Sequence, residues 1–274
     1  MRNFATIRAL LAGHAGGARS FVKKLDDRRL AHLSWSKVSC VEACPYGYYL
    51  QYVKRVRLVP EPDYFVKGRL FHQAAARFYR RRARGAQTAA GDLEPITRRR
   101  DDGVASLHLA NAATLLVANA FHGWEVLGVE EIFVLDLGPS LPPCVGVIDL
   151  VLRKGPVYAV VDHKTGKKLW PQDPMQLAIY REHVLRSRGA ARCRGFYDSY
   201  RWVNNLKRIR KPAFERTAVR FHSRSFAQVL ARFERGHARM REIEKKGNAP
   251  GTGSCWMCAY RHVCTKAVIA TSWW

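Results

Sequence analysis

Acidic residues are scarce in this chain. Asp and Glu total 22 against 47 Lys and Arg in 274 residues, a formal net charge of +25. Solubility of a small domain needs a magnitude of only about 2 to 8, so the excess argues for a polyanionic partner, and nucleic acid fits best. Long apolar runs are also missing. No stretch approaches the roughly 18 to 20 residues needed to span a bilayer, and the basic residues are spread along the chain rather than gathered beside one anchor, which disfavours a membrane role. No internal repeat and no low-complexity tract appears, so the organisation has to be read from the order of elements. Seven cysteines is an odd number, no apolar signal-peptide core is visible, and three cysteines are bunched near the end. That argues against a secreted disulfide scaffold and for a reducing cytoplasm. The first 30 residues are basic and acid-free until Asp26. They superficially resemble an organelle transit peptide, the plainer reading being a basic arm or short helix over 1–33.

What is present is a change of period along one good-sized core's worth of chain. Ser34 and Ser36 can cap a helix running through Val38, Val41 and Cys44 to Tyr49. Gly68 to Arg82 reads as a second helix, with Leu70, Phe71, Ala75, Phe78 and Tyr79 on one side. Residues 84–102 are polar and Gly-containing and read as a surface loop, followed by a helix from Val104 to Phe121. Val129 to Leu137, Cys144 to Arg153 and Val157 to His163 are β-branched runs separated by Gly and Pro turns, the pattern of a three-stranded meander. Pro174 to Arg186 returns to helical spacing. Gly195 to Asn204 and Phe214 to His222 read as strands, and Ser225 to Lys246 as a long basic helix. The order predicts an α/β fold, a sheet flanked by helices.

The chemistry concentrates in two neighbouring strands. Gly146-Val-Ile-Asp149 is followed across a turn by Val161-Asp162-His163-Lys164. Strand side chains alternate with period two, so Asp162 and Lys164 point to one face, where Asp149 can join them. Phosphodiester cleavage needs a hard cation to hold water and stabilise charge on phosphate. Two carboxylates and the backbone carbonyl of His163 are suitable oxygen ligands for Mg2+ or Mn2+. Lys164 would then position or help deprotonate the water. Taken alone, Asp-x-Lys on a strand is more simply an edge salt bridge.

It does not stand alone. The run from Gly146 to Asp149, then Val161 to Lys167, then Gln176 with Tyr180 four residues on, resembles the active-site core of RecB-like PD-(D/E)XK nucleases, including AddB-type subunits and CRISPR-associated RecB-like exonucleases. Gly68-Arg-Leu-Phe-His72 resembles that family's Gly-x-x-x-His helix, and Val129-Glu130 its acidic lead-in. The resemblance covers about Ser34 to Cys264. It implies a restriction-endonuclease-like core, a central mixed sheet flanked by helices over about 66–222, within a single nuclease domain over 34–274. It also implies His72, Asp149, Asp162 and His163 around a metal ion and Glu130 in support, Glu131 being the competing neighbour. Lys164 would be catalytic, with Gln176 and Tyr180 orienting it or a DNA phosphate from one helix face. A bacterial, archaeal or phage-encoded cytoplasmic enzyme follows from the same likeness.

Cys255-x2-Cys258-x5-Cys264 forms a compact group, and Cys44 lies far upstream beside Pro45. Thiolates this close suit a loop wrapped around a metal centre. Four sulfurs would serve zinc as well as iron. The resemblance favours a 4Fe-4S cluster, because those nucleases place one cysteine before the core and a Cys-x2-Cys-x5-Cys group after it. Cys40 competes with Cys44 as the upstream ligand. The cluster subdomain would comprise 34–65 and 247–274, its folding dependent on metal. Cys144 and Cys193 read as ordinary apolar strand residues.

Arg80, Arg81, Arg82, Arg84, Arg98 to Arg100, Lys207, Arg208, Arg210 and Lys211 can contact phosphates without sequence preference. Tyr197, Tyr200 and Trp202 either stack bases of a single strand or pack against a helix. Trp256, Trp273 and Trp274 read as packing around the cluster. No base-reading module is visible. The reading is a divalent-metal-dependent DNA exonuclease acting on single strands or ends, in repair, recombination or CRISPR adaptation with protein partners from those processes. Its rivals are a catalytically silent cluster- or zinc-bearing nucleic-acid-binding module and a zinc-stapled protein that condenses DNA.

Overall fold

The structure, a computed structural model, describes residues 2–97, 103–166, 172–201, 213–251, 255 and 258–266. Two helices open the chain, α1 (Arg2–Ala12) and α2 (Ala18–Asp27). Ile7, Phe21 and Leu25 are fully buried, while Arg8, Arg19 and Lys23 stay exposed, so the stretch read as a basic arm or short helix has an apolar side that packs. α3 (Trp35–Ala43) begins where Ser34 Oγ accepts the amide of Lys37 at 3.2 Å. The helix expected to continue to Tyr49 is interrupted. The ring of Pro45 excludes helical backbone at the residue before it, and Cys44 is extended at φ −158°, ψ 111°. A new short helix, α4 (Pro45–Tyr48), starts on that proline and passes into a π-turn, Tyr49–Val53.

α5 (Asp63–Ala83) follows. The segment 84–102, expected as a loop, carries a 3-10 turn (Ala90–Leu93) and α6 (Glu94–Thr97). Leu93 and Ile96, three residues apart on one side, pack into the same core as α5, which is what gives this polar stretch its structure. α7 (Gly103–Ala118) completes the helical layer.

The strands are β1 (Glu125–Leu135), β2 (Cys144–Lys154), β3 (Val157–Gly166), β4 (Arg192–Arg201) and β5 (Ala213–Val219), with α8 (Pro174–Arg188) between β3 and β4 and α9 (Ser225–Lys246) after β5. They form one sheet in the order β1-β2-β3-β4-β5. β2 and β3 are antiparallel across a tight turn that Gly155 makes at φ 57°. β3 and β4 are parallel, a pairing that requires a crossover, and α8 supplies it. β4 and β5 are antiparallel, so the sheet is mixed.

The chain divides into two compact units. In the unit of 63–133 and 147–226, Leu150, Leu152, Ala159 and Val161 share one sheet face with α5 and α7 in the core. By alternation Val160 and Asp162 belong to the other face, where α8 packs on β3 and β4. In the unit of 1–62, 134–146 and 227–274, the core includes Val38, Val41, Phe233, Met240 and Ile243. Gly236 of α9 lets that helix approach α3 closely, since a Cβ there would stand 3.1 Å from Val38. Arg232 clasps Glu42 at 2.6 to 2.8 Å and lies 4.6 Å over Trp35. Among the described residues, no helix is long and apolar enough to cross a membrane.

Candidate active site

The ladder between β2 and β3 runs from Lys154↔Val157 to Leu150↔Val161 and ends there. At the next pair, Asp149 and Asp162, the main-chain amide of His163 donates instead to Asp149 Oδ2 at 2.7 Å. The strands part, and a carboxylate takes a backbone partner's place.

Around that point the side chains converge. His72 of α5 brings Nδ1 to 3.4 Å from Asp149 Oδ1 and 3.9 Å from Glu130 Oε1. One donor atom from each of His72, Glu130 and Asp149 lies within 4.8 Å of the others, close enough for one ion. Glu130 reaches the group through a kink in β1, where its φ is 53°. A non-glycine residue held in the left-handed region carries strain that the surroundings must enforce. Its neighbour Glu131 is committed elsewhere, to Arg188 at 2.6 Å and His183 at 3.5 Å, two α8 residues that the sequence pattern did not mark. Gly68, by contrast, is not demanded by packing, since a Cβ there would be 3.7 Å from Thr165 Oγ1, an ordinary contact.

On the α8 side, Gln176 ties the remaining groups together. Its Oε1 accepts from Lys164 Nζ at 3.0 Å, and its Nε2 donates to Asp162 Oδ1 at 2.8 Å and to the Tyr180 hydroxyl at 2.7 Å. Lys164 Nζ stands 2.7 Å from Asp162 Oδ2. The contact is a close ion pair on a buried oxygen. α8 is fixed at its start by Asp173, which caps the amide of Met175 at 3.0 Å and whose carbonyl accepts from Tyr197 Oη at 2.6 Å.

Electrostatics follow from this crowding. Burial raises Asp162 to about 6, and Asp149 adds to the rise while Lys164 opposes it. Burial would raise Asp149 too, but His72 and the His163 amide hold it below the usual carboxylate range. Glu130 is raised by burial and by Asp149, with His72 and Arg80 pulling the other way. His72 would be lowered by burial, yet Asp149, Asp162 and Glu130 together lift it to about 9. Asp149, Asp162 and Glu130 thus surround the imidazole and favour its positive charge, and His72 has to give up that proton before its nitrogen can bind an ion.

His163 occupies a different environment. Its ring lies 5.9 Å from Tyr79, nearly parallel, with Phe71 and Tyr200 at its edges, so the imidazole is not in the donor group and only the main chain of His163 faces it. Tyr197 and Tyr200, candidates for base stacking, are buried, because alternation turns Tyr200 onto Phe71 and Phe214. Among the arginines, Arg81 is held by Thr88 at 3.1 Å and Arg82 bonds to the carbonyl of Phe121. Arg80 and Arg84 remain exposed. Lys167, Arg98 to Arg100, Trp202, Lys207, Arg208, Arg210, Lys211, Trp256, Trp273 and Trp274 lie outside the described residues.

No disulfide joins the cysteines. Cys144 and Cys193 are buried strand residues. Burial pushes the Cys40 thiol up to about 11, and Cys44 and Cys258 add to it. Cys44 Sγ takes the amide of Gly47 at 3.4 Å, whereas Cys40 faces Gln51 at 3.7 Å.

A sequence model of the PD-(D/E)XK nuclease superfamily matches residues 32–265. The chain belongs to that superfamily. Among solved structures, one from Eubacterium rectale, provisionally named an exonuclease, aligns over 94% of this chain and 97% of its own, with a TM-score of 0.54 and 12% identity, a likeness of fold. A second, SSO0001, aligns over 73% of this chain and 86% of its own at 16% identity. Its TM-score of 0.32 is too low to define a shared fold. No curated protein matches the chain.

Proposed function

We propose that the chain is a divalent-metal-dependent DNA exonuclease of the RecB-like, iron-sulfur-bearing branch, acting on single strands or strand ends in repair, recombination or CRISPR adaptation. The observation that supports this best is the convergence of Glu130, Asp149 and His72, with one donor atom from each within 4.8 Å of the others. His72, Glu130, Asp149 and Asp162, with the His163 carbonyl, would hold the ion. A bound Mg2+ or Mn2+ would neutralise charge building on the phosphate and acidify the attacking water.

The chain's own residues supply the rest. Lys164 has three ammonium protons. Gln176 accepts one, and Asp162 fixes the charge in place, which leaves donors for a phosphate oxygen or the attacking water. Tyr180 backs Gln176 from the next turn of α8. Arg80 and Arg84 would draw the strand in, and the +25 charge predicts binding that weakens steeply with salt.

In this reading residues 34–274 are one nuclease domain behind a basic segment over 1–33, with a core of about 66–222. Residues 34–65 and 247–274 form the cluster subdomain, Cys44, Cys255, Cys258 and Cys264 holding a 4Fe-4S cluster. Cys44 is favoured over Cys40 as the upstream ligand because Pro45 turns it out of α3. A nuclease assay on end-labelled single- and double-stranded DNA with Mn2+ or Mg2+ tests the activity. Digestion that persists at the wild-type rate in Lys164→Ala would remove this site from the reaction.

A further inference from the structure

A cavity of about 300 Å3 opens within the unit of 1–62, 134–146 and 227–274, lined in part by Arg29, His32, Lys37, Arg55, His237 and Glu244. Two of its walls are helix ends of the same unusual kind. After α2 the chain reverses through Arg29 at φ 53°, with the Leu30 amide bonded to the Leu25 carbonyl at 2.9 Å. After the π-turn it reverses through Arg55, also at φ 53°, with the Val56 amide bonded to the Leu50 carbonyl at 2.9 Å. This left-handed position at a helix end is normally glycine's, because any Cβ adds strain there. Both positions carry arginine, and both arginines line one cavity. A cation beside a helix's last carbonyls is favourable in itself, which would explain either residue alone but not their convergence.

They converge on a third cation. Lys37 Nζ donates to the His32 carbonyl at 3.2 Å and stands 3.0 Å from His32 Nε2. Burial and the nearby Arg55 lower its pKa, against Asp26 and Glu244. Of the two carboxylates in the wall, Glu244 is already engaged by the Tyr48 hydroxyl at 2.8 Å, and Asp26 is exposed. Arg29 and Arg55 have no side-chain hydrogen bond or ion pair among the described residues. Three cations against two carboxylates leave the concavity one positive charge in excess, and the two arginines, exposed like Asp26, stand on strained backbone.

We propose that this cavity binds a phosphate group, with Arg29, Arg55 and Lys37 as its ligands. Guanidinium forks match phosphate oxygens in pairs, and an ammonium adds a point charge. The volume admits one phosphate or a mononucleotide, at the small end of ligand pockets. The site does not depend on the nuclease reading.

The test is the thermal midpoint of the full chain, purified with whatever cluster it carries, titrated with inorganic phosphate against chloride at matched ionic strength. Specific binding raises the midpoint saturably, whereas the general stabilisation by phosphate salts does not saturate. Arg29→Gly/Arg55→Gly removes both side chains and relieves both backbones, so that protein is expected to melt at the same temperature or higher without phosphate and to lose the saturable shift. An equal saturable shift in wild type and double variant overturns the proposal. Should the double variant fail to fold, line broadening of the 31P signal of phosphate by wild type, reduced at least severalfold in Arg55→Gly, supports the site. No broadening by wild type overturns it. Displacement of phosphate in EDTA by a 5′-phosphorylated oligonucleotide but not its 5′-hydroxyl form would identify the source as a strand end. Displacement by a deoxynucleoside monophosphate alone would identify a free nucleotide.

Discussion

Replacing Gln176 by leucine keeps the side chain's volume and removes every hydrogen bond it makes. The bond to the Lys164 ammonium, 3.0 Å long, is charge-assisted, and such bonds contribute about 1.5 to 3 kcal/mol. If that interaction holds the lysine where the reacting phosphate needs it, its loss lowers the turnover rate roughly ten- to a hundredfold. The Asp162 Oδ1 oxygen also loses its 2.8 Å donor, so the protein should be destabilised by about 1 to 3 kcal/mol as well. The two effects are separated by a double-mutant cycle with Lys164→Met, in single-turnover assays on end-labelled DNA under conditions where all four proteins are folded. Because Gln176 acts through Lys164, the double variant should be no slower than Lys164→Met alone, giving a coupling of about 2 kcal/mol. Additive losses would refute the assignment of Gln176 as a positioning residue. A wild-type rate in Gln176→Leu would refute the lysine geometry altogether.

Mn2+ must displace the proton held by His72 below about pH 9, and below about pH 6 also the one that burial leaves on Asp162, so its affinity, measured calorimetrically, should fall about tenfold per unit between those values and more steeply below them. Asp198 is fully buried and held by Arg216 through two bonds of 2.7 Å. Arg216→Ala strands that carboxylate and should cost about 3 to 5 kcal/mol in urea unfolding, whereas a loss under about 1 kcal/mol would mean that water replaces the guanidinium. Protein purified without oxygen should be brown, with broad absorbance near about 400 nm. Cys258→Ser should lose the colour and fold poorly, and a colourless wild type binding zinc would replace the cluster with a zinc site. Ala in place of Ser34 should cost about 1 kcal/mol through loss of the α3 cap.

The sequence by itself determined the α/β class, most element positions and the pairing of Asp162 with Lys164, because periodicity two and β-branched runs are local properties. α9 spans the range read from its helical spacing, and the proximity of Gln176 and Tyr180 followed from their i, i+4 separation. It did not determine where α3 would end, since the helical pattern continued to Tyr49 and the effect of Pro45 on Cys44 outweighed it. Nor did it show that Leu93 and Ile96 would give structure to a polar stretch, or that Tyr197 and Tyr200 would be buried. Only the tertiary structure decided which of Glu130 and Glu131 joins His72 and Asp149. Alternation says that adjacent residues diverge, and the choice between them rests on a backbone kink and on Arg188 and His183, more than 50 residues away. The same holds for the end of the β2–β3 ladder and for the placing of Arg29 and Arg55 around one cavity, because such arrangements arise from packing across the chain and leave no periodic trace in it.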